Sequence, residues 1–119
     1  MKVKPHDELP LLRHWEHTLN LLLDQTEGFP KRVRYSFVAR LDNSGLDVLE
    51  ALTVARYAKA SEVSVALMRA DQSLQRLKVL LRLAHSRGHI GPKPYAQLLA
   101  LNEEAGRMLG GWLKHSGAS

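Results

Sequence analysis

The chain of 119 residues contains no cysteine. That excludes disulfides, thiolate metal sites and a cysteine nucleophile, and it fits a reducing compartment. Long apolar runs are missing too: no stretch approaches the ~18 uncharged apolar residues of a membrane helix. The start, MKVKPHDELP, has two lysines but no apolar run behind them before Asp7 and Glu8. No secretory signal is read there, and a cytoplasmic location away from membranes is expected. Aromatics are scarce, with two Trp, three Tyr and two Phe, and Trp15 and Trp112 both fall on apolar seams. A base-stacking platform of the single-strand-binding kind is therefore not expected. Acids are the minority charge, 12 against 17 Lys and Arg, for a net charge of +5.

What remains is an ordinary globular composition, 45% apolar and 24% charged, in a chain long enough for one modest core. A single domain over residues 1–119 is expected. The positive charge is uneven. Residues 1–27 carry three bases against five acids, whereas residues 63–90 carry Arg69, Arg76, Lys78, Arg82 and Arg87 against Asp71 alone. The basic segment reads either as an electrostatic footprint for nucleic acid or as a solvated helix face.

Apolar periodicity predicts four helices, over about residues 7–27, 30–59, 61–87 and 92–115. The first carries Leu12, Trp15, Leu19 and Leu22 at steps of three and four, and the second Val38, Leu41, Gly45, Val48, Leu52 and Ala55. Gly45 is the one small residue of that seam, where two helices can approach closely. Ser61 is the expected N-cap of the third helix, whose seam is Val63, Leu67, Ala70, Leu74, Leu77, Leu81 and Ala84. The fourth seam is Leu98, Leu101, Ala105, Met108 and Trp112. Gly28-Phe29-Pro30, Ser86-Arg87-Gly88 and Gly91-Pro92 punctuate the run. No segment alternates long enough to read as a strand. The fold expected is all-α, an antiparallel up-and-down four-helix bundle.

At 100° per residue, Val65, Met68, Val79 and Leu83 fall opposite the third helix's seam. Leu46 and Leu49 lie outside the seam of the second. A helix apolar on two sides wants two partners, so this stripe is read as a subunit interface. Scattered surface hydrophobes are the plainer alternative.

Sites for chemistry are hard to find. His14 and His17 are three apart, and His85 and His89 four apart, but neither pair has a third ligand, so no metal and no cofactor are expected. No serine sits in a G-x-S-x-G turn, and Gly110-Gly111 precedes Trp112 rather than a Lys-Ser/Thr pair; these glycines read as an allowance for tight helix packing. An enzyme is not expected. The basic residues are the better lead: Lys78 and Arg82 on one flank of the third helix, Arg69 and Arg76 on the other, and Lys31, Arg32 and Arg34 in FPKRVR. Such groups suit phosphate contacts, which give affinity and salt dependence but little sequence reading.

The run EGFPKRVRYSFVARLDNSGLDVLEAL, the RLKVLLRLAH stretch and above all Gly106-Arg107-Met108-Leu109-Gly110-Gly111-Trp112-Leu113 resemble the accessory variability determinant (Avd) family of diversity-generating retroelements. That family is similar in turn to four-helix-bundle proteins encoded in bacterial ribosomal-RNA intervening sequences. The likeness covers about residues 9–114. It implies a homopentameric barrel of four-helix bundles, bacterial or phage-encoded, with a basic surface. It implies as partners the element's reverse transcriptase and its template RNA, with DNA a further candidate. The function implied is support of mutagenic complementary-DNA synthesis and retrohoming, without catalysis of its own. By the match to RLKVLLR, Arg76, Lys78 and Arg82 are expected on the RNA or polymerase surface, and Arg107 of the C-terminal motif there or in packing. The alternatives are a ribosomal-RNA intervening-sequence protein and a purely protein–protein assembly module.

Overall fold

The computed structural model describes residues 8–116. The helix start expected at residue 7 and the last residues of the HSGAS tail lie outside them. Four α-helices follow one another: α1 (Glu8–Glu27), α2 (Ala39–Tyr57), α3 (Ala60–Ser86) and α4 (Pro92–His115), with no strand among the described residues. Short connections turn each helix back on the one before. α1 packs on α2 and α4, and α3 on α2 and α4, closing a bundle of 45 × 24 × 21 Å.

The second helix starts later than its periodicity predicts. Pro30 is held at φ −57° and ψ 142°, which breaks the path out of α1. The chain then makes a 3₁₀ turn (Lys31–Val33) and a π turn (Arg34–Val38) before α2 begins. We call residues 31–38 the hook. The π turn is wide, at more than four residues per turn. Val33 and Phe37, four apart, therefore both pack on the core while Arg32 and Tyr35 face outward. The ring of His89, in the α3–α4 connection, lies 5.7 Å from that of Phe29 and 5.1 Å from that of Phe37. The hook and the α3–α4 connection thus share one end of the bundle.

The core is a column of leucines with two buried tryptophans, and Leu11, Trp15, Leu41, Leu52, Leu67, Leu74, Leu77 and Leu81 are all essentially inaccessible. The seams of α2 and α3 run as their periodicity predicts, except that Val38 falls on the hook and both it and Val63 are only half-buried. Those of α1 and α4 are rotated: Leu11 and Thr18 are buried in place of Leu12, and Asn102 and Leu109 in place of Leu101 and Met108. Buried Asn102 is accommodated because its Nδ2 donates to the Leu74 carbonyl at 3.2 Å. A polar side chain at a core position hid that face from apolar counting.

Gly45 sets the spacing of α1 and α2. A Cβ there would lie 2.7 Å from Leu19 Cδ1 and 2.9 Å from Leu22 Cδ2, so any side chain forces the α1 leucines aside. The same close approach lets Trp15 Nε1 donate to the Gly45 carbonyl at 2.8 Å. Gly110 has no such role. A Cβ on it, or on Gly106, meets nothing within 4 Å, so tight packing does not explain these glycines. Ser61 is not the N-cap of α3 either; the helix begins at Ala60, and Lys59 occupies the cap without a side-chain hydrogen bond. The far end of α3 closes at Gly88, with φ +80°. The Gly88 N–H donates to His85 O and the His89 N–H to Ala84 O, the paired bonds that use up a helix's last carbonyls.

Candidate nucleic-acid interface

The antiparallel path sorts the bases by height along the bundle. Lys31, Arg32 and Arg34 lie on the hook, with Arg40 on the first turn of α2. Arg82 and Arg87 close α3, and Lys93 opens α4. Arg82 is four residues from the end of α3, so it stands about one helical turn, roughly 6 Å, below that end. Seven bases from three separate stretches of sequence therefore gather at one end. None of them forms an ion pair among the described residues.

Around mid-bundle the bases are occupied. The Arg76 guanidinium reaches across to α2, 3.4 Å from the Asp47 carboxylate. Its Nε donates to Ser44 Oγ at 3.3 Å and its Nη2 to Ser73 Oγ at 3.0 Å. Lys78 turns to the other flank, where its Nζ lies 3.1 Å from Glu103 on α4. Arg107 pairs with Glu104 one turn earlier on the same helix, its Nε donating at 3.1 Å. These pairs are half-exposed and contribute little to stability, but each neutralises a cation at short range. Arg69 makes no ion pair among the described residues. It lines a cleft between α2 and α3 of about 420 Å³ together with Arg76, Asp47 and Glu50. Its surroundings are of mixed sign.

Of the basic residues singled out in the sequence, the hook trio and Arg82 thus belong to one end, and Arg69, Arg76, Lys78 and Arg107 do not join them. Arg40 and Lys93 were missed, and Arg87 was counted in the basic segment but not among the candidate site residues. The signal for them was available in principle, because in an up-and-down bundle the turns near residues 30 and 88 must meet at the same end. Beside the hook is a cleft of about 600 Å³, lined among others by Phe29, Lys31, Arg34, Glu27 and Asp42. Thr26 Oγ1 donates to the Asp42 carboxylate there at 2.7 Å. With two acids against two bases, the cleft is no simple anion pocket.

The candidate interface stripe is exposed in the single chain: Val65 54%, Met68 57%, Val79 53% and Leu83 48%. Leu46, Val54 and Tyr57 of α2 are exposed as well. His14 and His85 face inward contacts, whereas His17 is exposed. His14 Nε2 lies 2.9 Å from the Leu101 carbonyl, while His85 stacks on Tyr95 at 4.4 Å with its Nδ1 3.0 Å from the Ile90 carbonyl. No three His, Asp or Glu side chains are grouped to hold a metal ion among the described residues. Nor is any helix there long and apolar enough to cross a membrane.

The bAvd-like family model matches residues 11–116, a span that takes in the hook and α2 to α4 entire and all but the first turn of α1. No curated protein matches the chain.

Proposed function

This chain belongs to the bAvd-like family, and on that premise we propose that it serves a diversity-generating retroelement by binding the element's reverse transcriptase and its template RNA. It is an accessory protein of the Avd type. In the function proposed here the polymerase carries the chemistry, and this chain contributes binding and position to mutagenic complementary-DNA synthesis and retrohoming. The family match carries this reading. The gathering of unpaired bases at the hook end supports its nucleic-acid half, since phosphate binding needs cations not already neutralised. The exposed stripe of Val65, Met68, Val79 and Leu83 supports assembly of several copies, five by the family resemblance, inside a bacterial or phage-infected cell.

The test is a titration of fluorescent structured RNA with the purified chain at low and at physiological salt, followed by addition of the cognate polymerase. Tight binding that falls steeply with salt is the expected result. Absence of binding at both salts, with the polymerase still captured, would replace this reading by a protein-only assembly role. The neutralised state of Arg76 and Lys78 is the observation that favours that second reading.

A further inference from the structure

Tyr35 is the most exposed large hydrophobic side chain among the described residues, 87% accessible, and its hydroxyl has no hydrogen-bond partner among them. A tyrosine normally buries its ring or ties its hydroxyl to something. This one does neither, although Phe29 just before the hook and Val33 on it are buried and Phe37 is half-buried. Nothing in the bundle needs the ring to be there. Its charged neighbours are all cationic: Lys31, Arg32 and Arg34 precede it, Arg40 follows, and no acid occurs between Gly28 and Leu41. Arg32 and Tyr35 are both exposed on the hook, so cation and ring are open to the same solvent.

We propose that Tyr35 is a stacking platform for an unpaired base, and that the hook end therefore takes a single-stranded segment of RNA. This deepens the nucleic-acid reading above and rests on it. An exposed ring beside cations is the pairing by which single strands are held: the cations follow the backbone and the ring takes a base face. A duplex hides its base faces in its own stack and has nothing to offer such a ring. Only two side-chain torsions need to be fixed for Tyr35 to stack, so ordering it costs little. The scarcity of aromatics argued against a stacking platform across the whole chain, and there is none of that extent. One ring in one cationic turn is sufficient for a local single-strand contact.

The experiment uses the full chain, an unstructured uridine-rich RNA of about 12 nucleotides and a hairpin duplex of similar length. Y35A is expected to weaken single-strand binding about ten-fold and to leave duplex binding and the salt slope unchanged, because stacking releases no counterions. Y35F keeps the ring and should bind within about two-fold of wild type. Equal single-strand affinity for Y35A and wild type would overturn the proposal and leave RNA binding standing. So would an equal loss on the duplex, a Y35F variant as weak as Y35A, or a fall in native mass for Y35A, which would assign the ring to contacts between copies. A wild-type chain that binds neither RNA overturns both this proposal and the reading beneath it.

Discussion

The region around mid-bundle and the hook end hold similar side chains and treat them in opposite ways. Around mid-bundle, Arg76, Lys78 and Arg107 each meet a carboxylate, from Asp47, Glu103 and Glu104 respectively. At the hook end, Lys31, Arg32, Arg34, Arg82 and Arg87 meet none among the described residues. On a linear count the two groups look alike, with three bases each in RLKVLLR and FPKRVR. In space the first is neutralised across α2–α3, across α3–α4 and along α4, and the second is left open to solvent. A basic cluster is a candidate footprint for a polyanion only after its internal pairs are discounted, because a phosphate must otherwise displace a carboxylate that is already in contact.

The proposed function gives α3's outer face to protein contact and the hook end to nucleic acid, and that division can be broken at either region. The largest effect is expected from Val79→Asp. A carboxylate on a face covered by another copy is buried without a partner at a cost of several kcal/mol. The native mass should drop, while the RNA contact of each separated chain persists. An unchanged mass would return the stripe to the status of scattered surface hydrophobes. Next comes reversal of the hook, with Lys31, Arg32 and Arg34 all changed to Glu. RNA affinity at low salt should fall on the order of a hundred-fold, and the salt slope should become shallower by about two.

Lys78→Glu with Arg82→Glu should cost less, about ten-fold, since only Arg82 is free to contribute. Equal losses in the two variants, read by the same titration, would erase the distinction between the regions. Smaller still is the expected effect of Glu103→Gln, which releases Lys78: RNA affinity should rise a few-fold at low salt and hardly at all at physiological salt, where screening is stronger. The smallest concerns stability. Arg76→Ala removes an ion pair whose side chains are half-exposed, 51% and 52%, so thermal unfolding should shift by no more than about 1 kcal/mol corresponds to, a few degrees. A much larger shift would mean that Arg76 is a structural strut and not a surface charge.

Much of the fold was legible without coordinates. Steps of three and four along Leu41, Gly45, Val48, Leu52 and Ala55 identify an inner face, and the one glycine in that series marks where α1 comes near. Gly88 marks the end of α3 because a left-handed residue is needed there, and Gly91-Pro92 the start of α4. The misses have physical causes as well. Asn102 entered the core on a hydrogen bond to a carbonyl of another helix, which no apolar count registers. The hook departed from a regular helix because Pro30 holds an extended backbone, and the wide turn after it lets Val33 and Phe37 both pack on the core. Tyr35 was passed over as one of a few aromatics, since nothing in its neighbours along the chain says which way its ring will point.

The amino-acid sequence by itself determined the helical fold class, the order of the helices, most of the buried seam and the excess of positive charge. These follow from spacing, turn chemistry and composition, which act between residues close in the chain. Only the tertiary structure decided which cations are free. Asp47 is 29 residues from Arg76 and Glu103 is 25 from Lys78, so their pairing depends on how α2, α3 and α4 dock side by side. Likewise, Lys31 and Arg87 share one end of the molecule because the chain turns back on itself between them, bringing together in space charges that lie far apart in sequence.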